Sequence, residues 1–264
     1  MLSKIQQHLL CHPWRDTVHW FNTIGSTNDL ARQMARDGAP AGTMILAGKQ
    51  TNGHGRMGRG FCSPEGSGVY LSCILRPNCK PAEVMHLTCA AAVAAASAVE
   101  DASGITPGIK WTNDLVIGSK KLGGILTSLQ IDPKTGLVDH AIIGIGINCL
   151  QQESDFPEEL RPIACSLAMH TDKTDPATVA AALIRKLEIM NRGLLTDKQA
   201  IMAAYKANCI TLGREISWAA GEKICHGTAI DLDEDGGLIL RLSDGQLQTA
   251  AFGEVSIRGM YGYI

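Results

Sequence analysis

The strongest limit on the fold of this chain is the strand that comes after its glycine-rich segment. TMILAGKQ (43–50) reads as a buried strand and runs directly into KQTNGHGRMGRGF (49–61), thirteen residues with four glycines. Gly53, Gly55, Gly58 and Gly60 lack a Cβ, so the segment resists both helix and strand. A Pro/Gly/Ser-rich stretch then leads into a second strand, SGVYLSCILRP (67–77). Gly53, Gly55 and Gly58 satisfy G-x-G-x-x-G, but that fingerprint works only where a helix opens at its end and turns its amides onto a pyrophosphate. Here the chain continues into a strand, which excludes the doubly wound dinucleotide fold. The P-loop fails as well, because Gly42 to Gly48 holds one residue too many and Gln50 stands in place of the hydroxyl. No H-R-D or D-F-G is present downstream to complete a kinase. Keeping so flexible a loop ordered costs conformational entropy, and Lys49, Arg56 and Arg59 point to an anion that offsets it. Taken alone, the segment also fits a solvated surface loop.

The flanking sequence is mixed. TVHWFNTI (17–24) alternates as a strand does, and GSTNDLARQMARDG (25–38) reads as a helix capped by Ser26 and ended at Gly38, with Leu30, Ala31 and Met34 on its apolar stripe. Pro81 opens a long helix that runs to about Ser103. GIKWTNDLVIGSKKLGGILTSLQI (108–131) reads as a hairpin turning at Gly118 and Ser119, and TGLVDHAIIGIGINCL (135–150) as a further strand. Residues 176–208 show helical periodicity around Leu183, Leu187 and Met190. After Cys209 the composition shifts to short strands with glycine-bearing turns, which predict a small antiparallel barrel. The fold class is α+β, with a mixed-sheet domain over residues 1–209 and a small β-barrel over 210–264.

A formal net charge of −2 leaves no global basic field for nucleic acid or an anionic membrane, so any positive patch is local. Nine cysteines at irregular spacings, with no C-x-x-C, read as reduced thiols. MLSKIQQHLLCHPWRD lacks the features of a signal peptide. LTCAAAVAAASAVEDASG is alanine-rich and broken by acids, which suits a buried helix rather than a membrane span. The expectation is a soluble, cytoplasmic protein without membrane association.

STNDL (26–30), the glycine loop, KWTNDL (110–115), KKLGGIL (120–126) and GIGIN (144–148) succeed one another across residues 26–148, near predicted strand ends. Together they resemble the biotin protein ligase family, the biotin–[acetyl-CoA-carboxylase] ligases, whose pattern reads approximately S-T-N…Q-x-x-G-R-G-R-x-G-R…K-W-P-N-D…K-x-x-G-I-L…G-x-G-x-N. GEVSIR (253–258) resembles the family's C-terminal motif. The resemblance implies a catalytic domain of the biotin/lipoate ligase type with an SH3-like β-barrel after it. It also implies two steps: biotin and ATP give biotinyl-5′-AMP and pyrophosphate, then a lysine of a biotin carboxyl carrier protein takes the biotinyl group. Mg²⁺ is expected on the phosphates.

By the same resemblance Arg56, Asp114 and Lys121 carry the catalysis. A carboxylate attacking a polyanion needs cations between the like charges, which suits Arg56 and Lys121. Asp114 would orient or deprotonate the incoming lysine, or help hold the metal. Ser26, Thr27, Asn28 and Gln50, with Gly53, Arg56, Lys121 and Gly124, match contacts to biotin, and hydroxyl and amide groups suit its urea. The ATP side takes Arg56, Arg59, Phe61 over adenine, Lys121, Asn148 and Arg258, with Gly144 and Gly146 letting the ligand approach the strand. A loop that is mobile when empty and closes over the adenylate would keep water from the anhydride. Plainer readings exist for the same residues: Ser26 as a helix cap, Gln50 as a strand end, Asn113–Asp114 as an Asx turn, and GIGIN as a packing strand.

Some positions depart from the family pattern. His54 and Met57 stand where the commonest loop has arginines, and Thr112 replaces a proline, which loosens that turn. About sixteen residues precede the first strand, too few for the DNA-binding helices that some members carry, so no DNA partner is expected. A homodimer through a sheet edge is open. Two rival functions stand beside the ligase. A lipoate or octanoyl ligase or transferase would want a narrow apolar slot, at odds with Ser26, Thr27 and Gln50. A non-catalytic adenylate sensor is at odds with Arg56, Asp114 and Lys121.

Overall fold

In the computed structural model of the chain, residues 1–220, 223–250 and 258–259 are described. A short helix, α1 (Leu2–His8), comes first and buries Ile5. Seven residues of mixed polarity carry too little periodicity for the sequence to announce it. Strand β1 (Val18–Ile24) pairs in parallel with β2 (Met44–Gln50), and helix α2 (Thr27–Arg36) makes the crossover. Ser26 caps α2 by accepting from the Asp29 amide at 3.4 Å, and Gly38 leaves the helix with φ 90°. Strand β3 (Gly68–Leu75) returns antiparallel to β2 beyond the glycine loop. Pro81 opens a separate 3₁₀ turn (Pro81–Val84) rather than the long helix itself, which is α3 (Leu87–Ser103).

The stretch expected as one hairpin forms three strands, β4 (Gly108–Lys110), β5 (Asp114–Ile117) and β6 (Lys120–Ile131). The β5–β6 turn falls at Gly118 (φ 57°) as expected. Before β5 the chain turns aside at Trp111–Asn113, where the Trp111 amide donates to Thr211 Oγ1 at 2.9 Å and the Trp111–Thr112 peptide bond is cis. Strand β7 (Val138–Asn148) comes next, then helices α4 (Pro176–Gly193) and α5 (Lys198–Asn208). The seven strands run in the order β1-β2-β3-β7-β6-β5-β4, and every pair but the first is antiparallel.

Period-two alternation divides the sheet's two faces. Met44, Leu46, Leu71, Cys73, Ile143 and Ile145 join the main core with α3 and α4, whereas Ile45, Ile74 and Ile142 pack with Ala31 and Ala35 of α2. Small residues on α2 let the helix lie close to the strands. Helix α3, with its preceding turn, is long and apolar enough to cross a membrane by composition, but its alanines are buried against the sheet and α4 as core.

A second sheet holds β8 (Glu215–Ala220), β9 (Lys223–Leu232), β10 (Leu238–Arg241), β11 (Leu247–Ala250) and β12 (Arg258–Gly259), in the order β11-β10-β9-β8-β12 and antiparallel throughout. Arg258 lies opposite Ser217. Its side chain, and residues 253–257 of the C-terminal motif, lie outside the described residues. The two sheets are joined through the β9–β10 turn. Asp233 Oδ1 shapes that turn by accepting from the Asp235 and Gly237 amides, Lys198 of α5 meets Asp235 at 2.7 Å, and Trp111 Nε1 donates to Gly236 O at 2.8 Å. Thr112 is also pinned rather than loosened, since its carbonyl accepts from the buried Tyr205 hydroxyl at 2.9 Å. Trp111→Phe keeps an aromatic ring but removes the indole N–H and strands the Gly236 carbonyl. It lowers the unfolding free energy by about 1–3 kcal/mol, measured by urea denaturation, and an unchanged midpoint would sink this account of the junction.

Candidate active site

Along β7 the residues facing α2 run Ile142, Gly144, Gly146, Asn148. Where isoleucine gives way to glycine, the sheet face turns from a packing surface into the floor of a cavity of about 280 Å³. A Cβ on Gly144 would collide with the Asn28 amide, and one on Gly146 with the Phe61 ring. These glycines line the cavity and make room there for the site's own side chains.

One wall carries charge. Lys121 Nζ meets Asp114 Oδ1 at 2.6 Å. A Cβ on Gly124 would stand 3.2 Å from that Nζ and 3.3 Å from that carboxylate. Residues i and i+3 of a regular strand face opposite ways. The shift in β5–β6 register at Leu115/Val116, opposite Lys121–Gly123, brings Lys121 over Gly124. Arg56 reaches this wall from the glycine loop, donating through Nη1 to Asn113 Oδ1 at 2.9 Å. Asn113 is itself fixed, because its Nδ2 donates to Ile125 O and its carbonyl accepts from the Ile125 amide, each at 2.8 Å. Arg56 Nη2 is buried without a partner among the described residues, so a guanidinium N–H group remains for an anion.

The opposite wall is neutral and polar. Gln50 Oε1 accepts from the Thr27 amide at 2.9 Å and the Thr27 hydroxyl at 3.1 Å, while its Nε2 donates to Ser63 Oγ at 3.0 Å. Ser72 Oγ, fully buried on β3, lies 2.8 Å from Thr27 Oγ1 and 2.6 Å from Asn28 Oδ1. Thr27, Asn28, Gln50, Arg56, Arg59, Phe61, Asp114, Lys121, Gly124 and Asn148 all line the cavity. Ser26 and Gly53 do not. Ser26 spends its hydroxyl on the α2 cap, and Gly53 is packed so that a Cβ would stand 2.6 Å from Phe61 O. Lys49 is exposed and off the cavity, so that part of the expected anion patch is missing. Asn148 faces the cavity but also donates to Cys165 O at 3.0 Å and accepts from Gln151 Nε2 at 3.3 Å.

Several lining residues went unassigned in the sequence. Lys110, Trp111 and Asn113 stand inside a quoted motif, and their placement comes from the turn that breaks β4 from β5. Phe156, Leu160, Ile163 and Ala164 come from an irregular stretch with no periodicity to find. It reaches the site because the Lys121 amide donates to Ile163 O at 2.7 Å and the Cys165 amide to Lys121 O at 2.8 Å.

Comparison with known proteins gives consistent results. Residues 20–148 match the biotin/lipoate A/B protein ligase family, and residues 211–258 match the biotin protein ligase C-terminal domain. The bifunctional ligase/repressor BirA of Bacillus subtilis is 37% identical over 90% of this chain and 71% of its own length. The biotin–[acetyl-CoA-carboxylase] ligase of Mycobacterium tuberculosis is 29% identical over 89% of this chain and 86% of its own. Among solved structures, the biotin protein ligase of Aquifex aeolicus in complex with biotin and ATP superposes with a TM-score of 0.77 at 27% identity, over 92% of this chain and 98% of that one.

Around the cavity the thiols are graded by burial. Cys62 lines it half-buried, and burial, with the nearby Glu159 charge second, raises its pKa. Burial pushes Cys165 up to about 11 and Cys149 up to about 12. Since the thiolate is the nucleophile, iodoacetamide at pH 7.5 labels the exposed Cys11 first and leaves Cys149 and Cys165 intact, as peptide mass mapping would show. Labelling of either buried thiol at the Cys11 rate would contradict this packing.

Proposed function

The chain belongs to the biotin/lipoate A/B protein ligase family, and on that premise we propose that it is an ATP-dependent biotin protein ligase. It activates biotin as biotinyl-5′-AMP and transfers the biotinyl group to a lysine of a biotin carboxyl carrier protein. The observation that carries this reading is one cavity with two unlike walls: hydroxyl and amide groups at Thr27, Asn28 and Gln50, and the Arg56, Lys121 and Asp114 cluster across the sheet from them. The first wall suits a neutral urea and the second a carboxylate meeting a polyphosphate.

In the first step a biotin carboxylate oxygen bonds to the α-phosphorus of ATP and the bond to the β-phosphate oxygen breaks, releasing pyrophosphate. Arg56 offers its unpartnered guanidinium N–H to the negative charge gathered there, and Lys121 adds a second cation. Phe61, which lines the cavity edge-on to Tyr70 with ring centroids 6.4 Å apart, is the ring assigned to the adenine. Arg59 and Asn148 complete the nucleotide side from the loop and from the end of β7. In the second step the lysine amine attacks the acyl carbon and AMP leaves. Asp114 takes the amine's proton and becomes neutral, and the Lys121 cation beside it then faces the phosphate charge of the departing AMP.

Mg²⁺ fits this site as a phosphate-borne ion. Among the described residues, Asp114 is the sole carboxylate lining the cavity and no group of three metal-ligating side chains occurs. When bound, the ion shields the phosphate charge. In this reading residues 1–209 form the catalytic domain and 210–264 a small SH3-like β-barrel. Nine free cysteines suit work in a reducing cytoplasm.

Intact-mass spectrometry of a biotin carboxyl carrier domain, incubated with the protein, biotin and Mg·ATP, tests the proposal. The carrier gains one biotinyl group only when ATP is present. Arg56→Ala and Asp114→Ala slow the gain by about 10²-fold or more. Lipoate in place of biotin gives no shift, and a shift with lipoate alone would move the chain to the lipoyl branch.

A further inference from the structure

Between Gly53 and Phe61 the glycine loop forms its own small hairpin. The Phe61 amide donates to Gly53 O at 2.9 Å and the Gly55 amide to Arg59 O at 2.7 Å, around a turn in which Met57 takes φ 56°. Besides the Phe61 ring, two polar side chains carry this hairpin to the rest of the protein. Arg56 reaches Asn113, and His54 Nε2 stands 2.8 Å from Asp29 Oδ2. These anchors are on opposite sides of the cavity, since Asn113 precedes β5 while Asp29 lies in the first turn of α2. The Asp29 carboxylate is held ready, because Arg32 Nη1 occupies its Oδ1 at 2.6 Å and leaves Oδ2 to the histidine. A carboxylate only accepts hydrogen bonds, so His54 Nε2 carries the proton.

We propose that His54 and Asp29 form a clasp that holds the glycine loop over the cavity. What the loop encloses rests on the ligase reading; the clasp itself rests on this geometry. Of the two anchors, Arg56 gives Nη1 to Asn113 and holds Nη2 for the bound anion, so it serves loop and ligand together. The His54–Asp29 contact joins the loop to α2 through Nε2 alone. It ties the loop to the same helical turn that carries Thr27 and Asn28, so the loop closes on the wall assigned to the urea. An arginine at position 54 would add charge to the ligand's surroundings. The histidine commits its Nε2 to the scaffold, acting as a positioning residue.

Tryptic cleavage after Arg56 and Arg59 in the ligand-free protein reads loop opening without reference to activity. His54→Ala and Asp29→Ala each speed that cleavage by about threefold to fivefold, the scale of an exposed ion pair. The double variant opens no faster than either single one, and His54→Gln, which retains an Nε2 donor for Asp29 and adds no tryptic site, returns toward the parent rate. With biotin and ATP, the isolated adenylate complex loses its ligand faster by a similar factor in both single variants, while carrier-saturated kcat falls less. Unchanged cleavage in the single variants, or additive effects in the double one, would overturn the clasp. Faster cleavage in the variants of a protein that forms no adenylate would overturn the ligase reading and leave the clasp standing.

Discussion

The site depends on side chains that are missing from the middle of a sheet. Gly144 and Gly146 sit on the face that Ile142 fills one step earlier, and Gly124 sits across from Gly146 on the neighbouring strand. Without a Cβ at these positions, Asn28, Phe61 and the Lys121–Asp114 pair can descend onto the sheet and face one another. Glycine inside a strand weakens it. Here β7 is paired on both sides along nearly its whole length, by β3 and β6, so the ladder holds where side-chain packing is lost.

The polar groups on that floor stand or fall together. Ser72 supports Thr27 and Asn28, Thr27 supports Gln50, and Gln50 leads through Ser63 to the Phe61 carbonyl at 3.0 Å. Buried polar groups are costly unless partnered, and a chain of them is worth more intact than the sum of its parts. The same chain joins the neutral wall to the exit of the glycine loop, so the pocket's chemistry and the loop's path share one set of bonds.

Much of this could be read in the sequence because the functional residues come in short runs bounded by turns. Asp114 and Lys121 were visible as a pair of motifs, and the β5–β6 turn between them brings the motifs together. What stayed hidden was decided by geometry that local sequence does not encode. The roles of Gly144 and Gly146 depend on which side chain from another element arrives above them. Helix α1 and the Phe156–Ala164 wall have no periodicity, and both are placed by tertiary contacts. The glycine loop's tether at His54 depends on a partner 25 positions away in sequence.

Trp111 touches two things at once. Its ring lines the cavity, while its indole N–H is committed to the β9–β10 turn of the second sheet. The second sheet is therefore no detachable module. A chain cut near residue 210 would lose the partner of a cavity wall, along with the Thr211 hydroxyl that takes the Trp111 amide. A fusion or split reporter that stopped near residue 210 would therefore carry a cavity wall without its support.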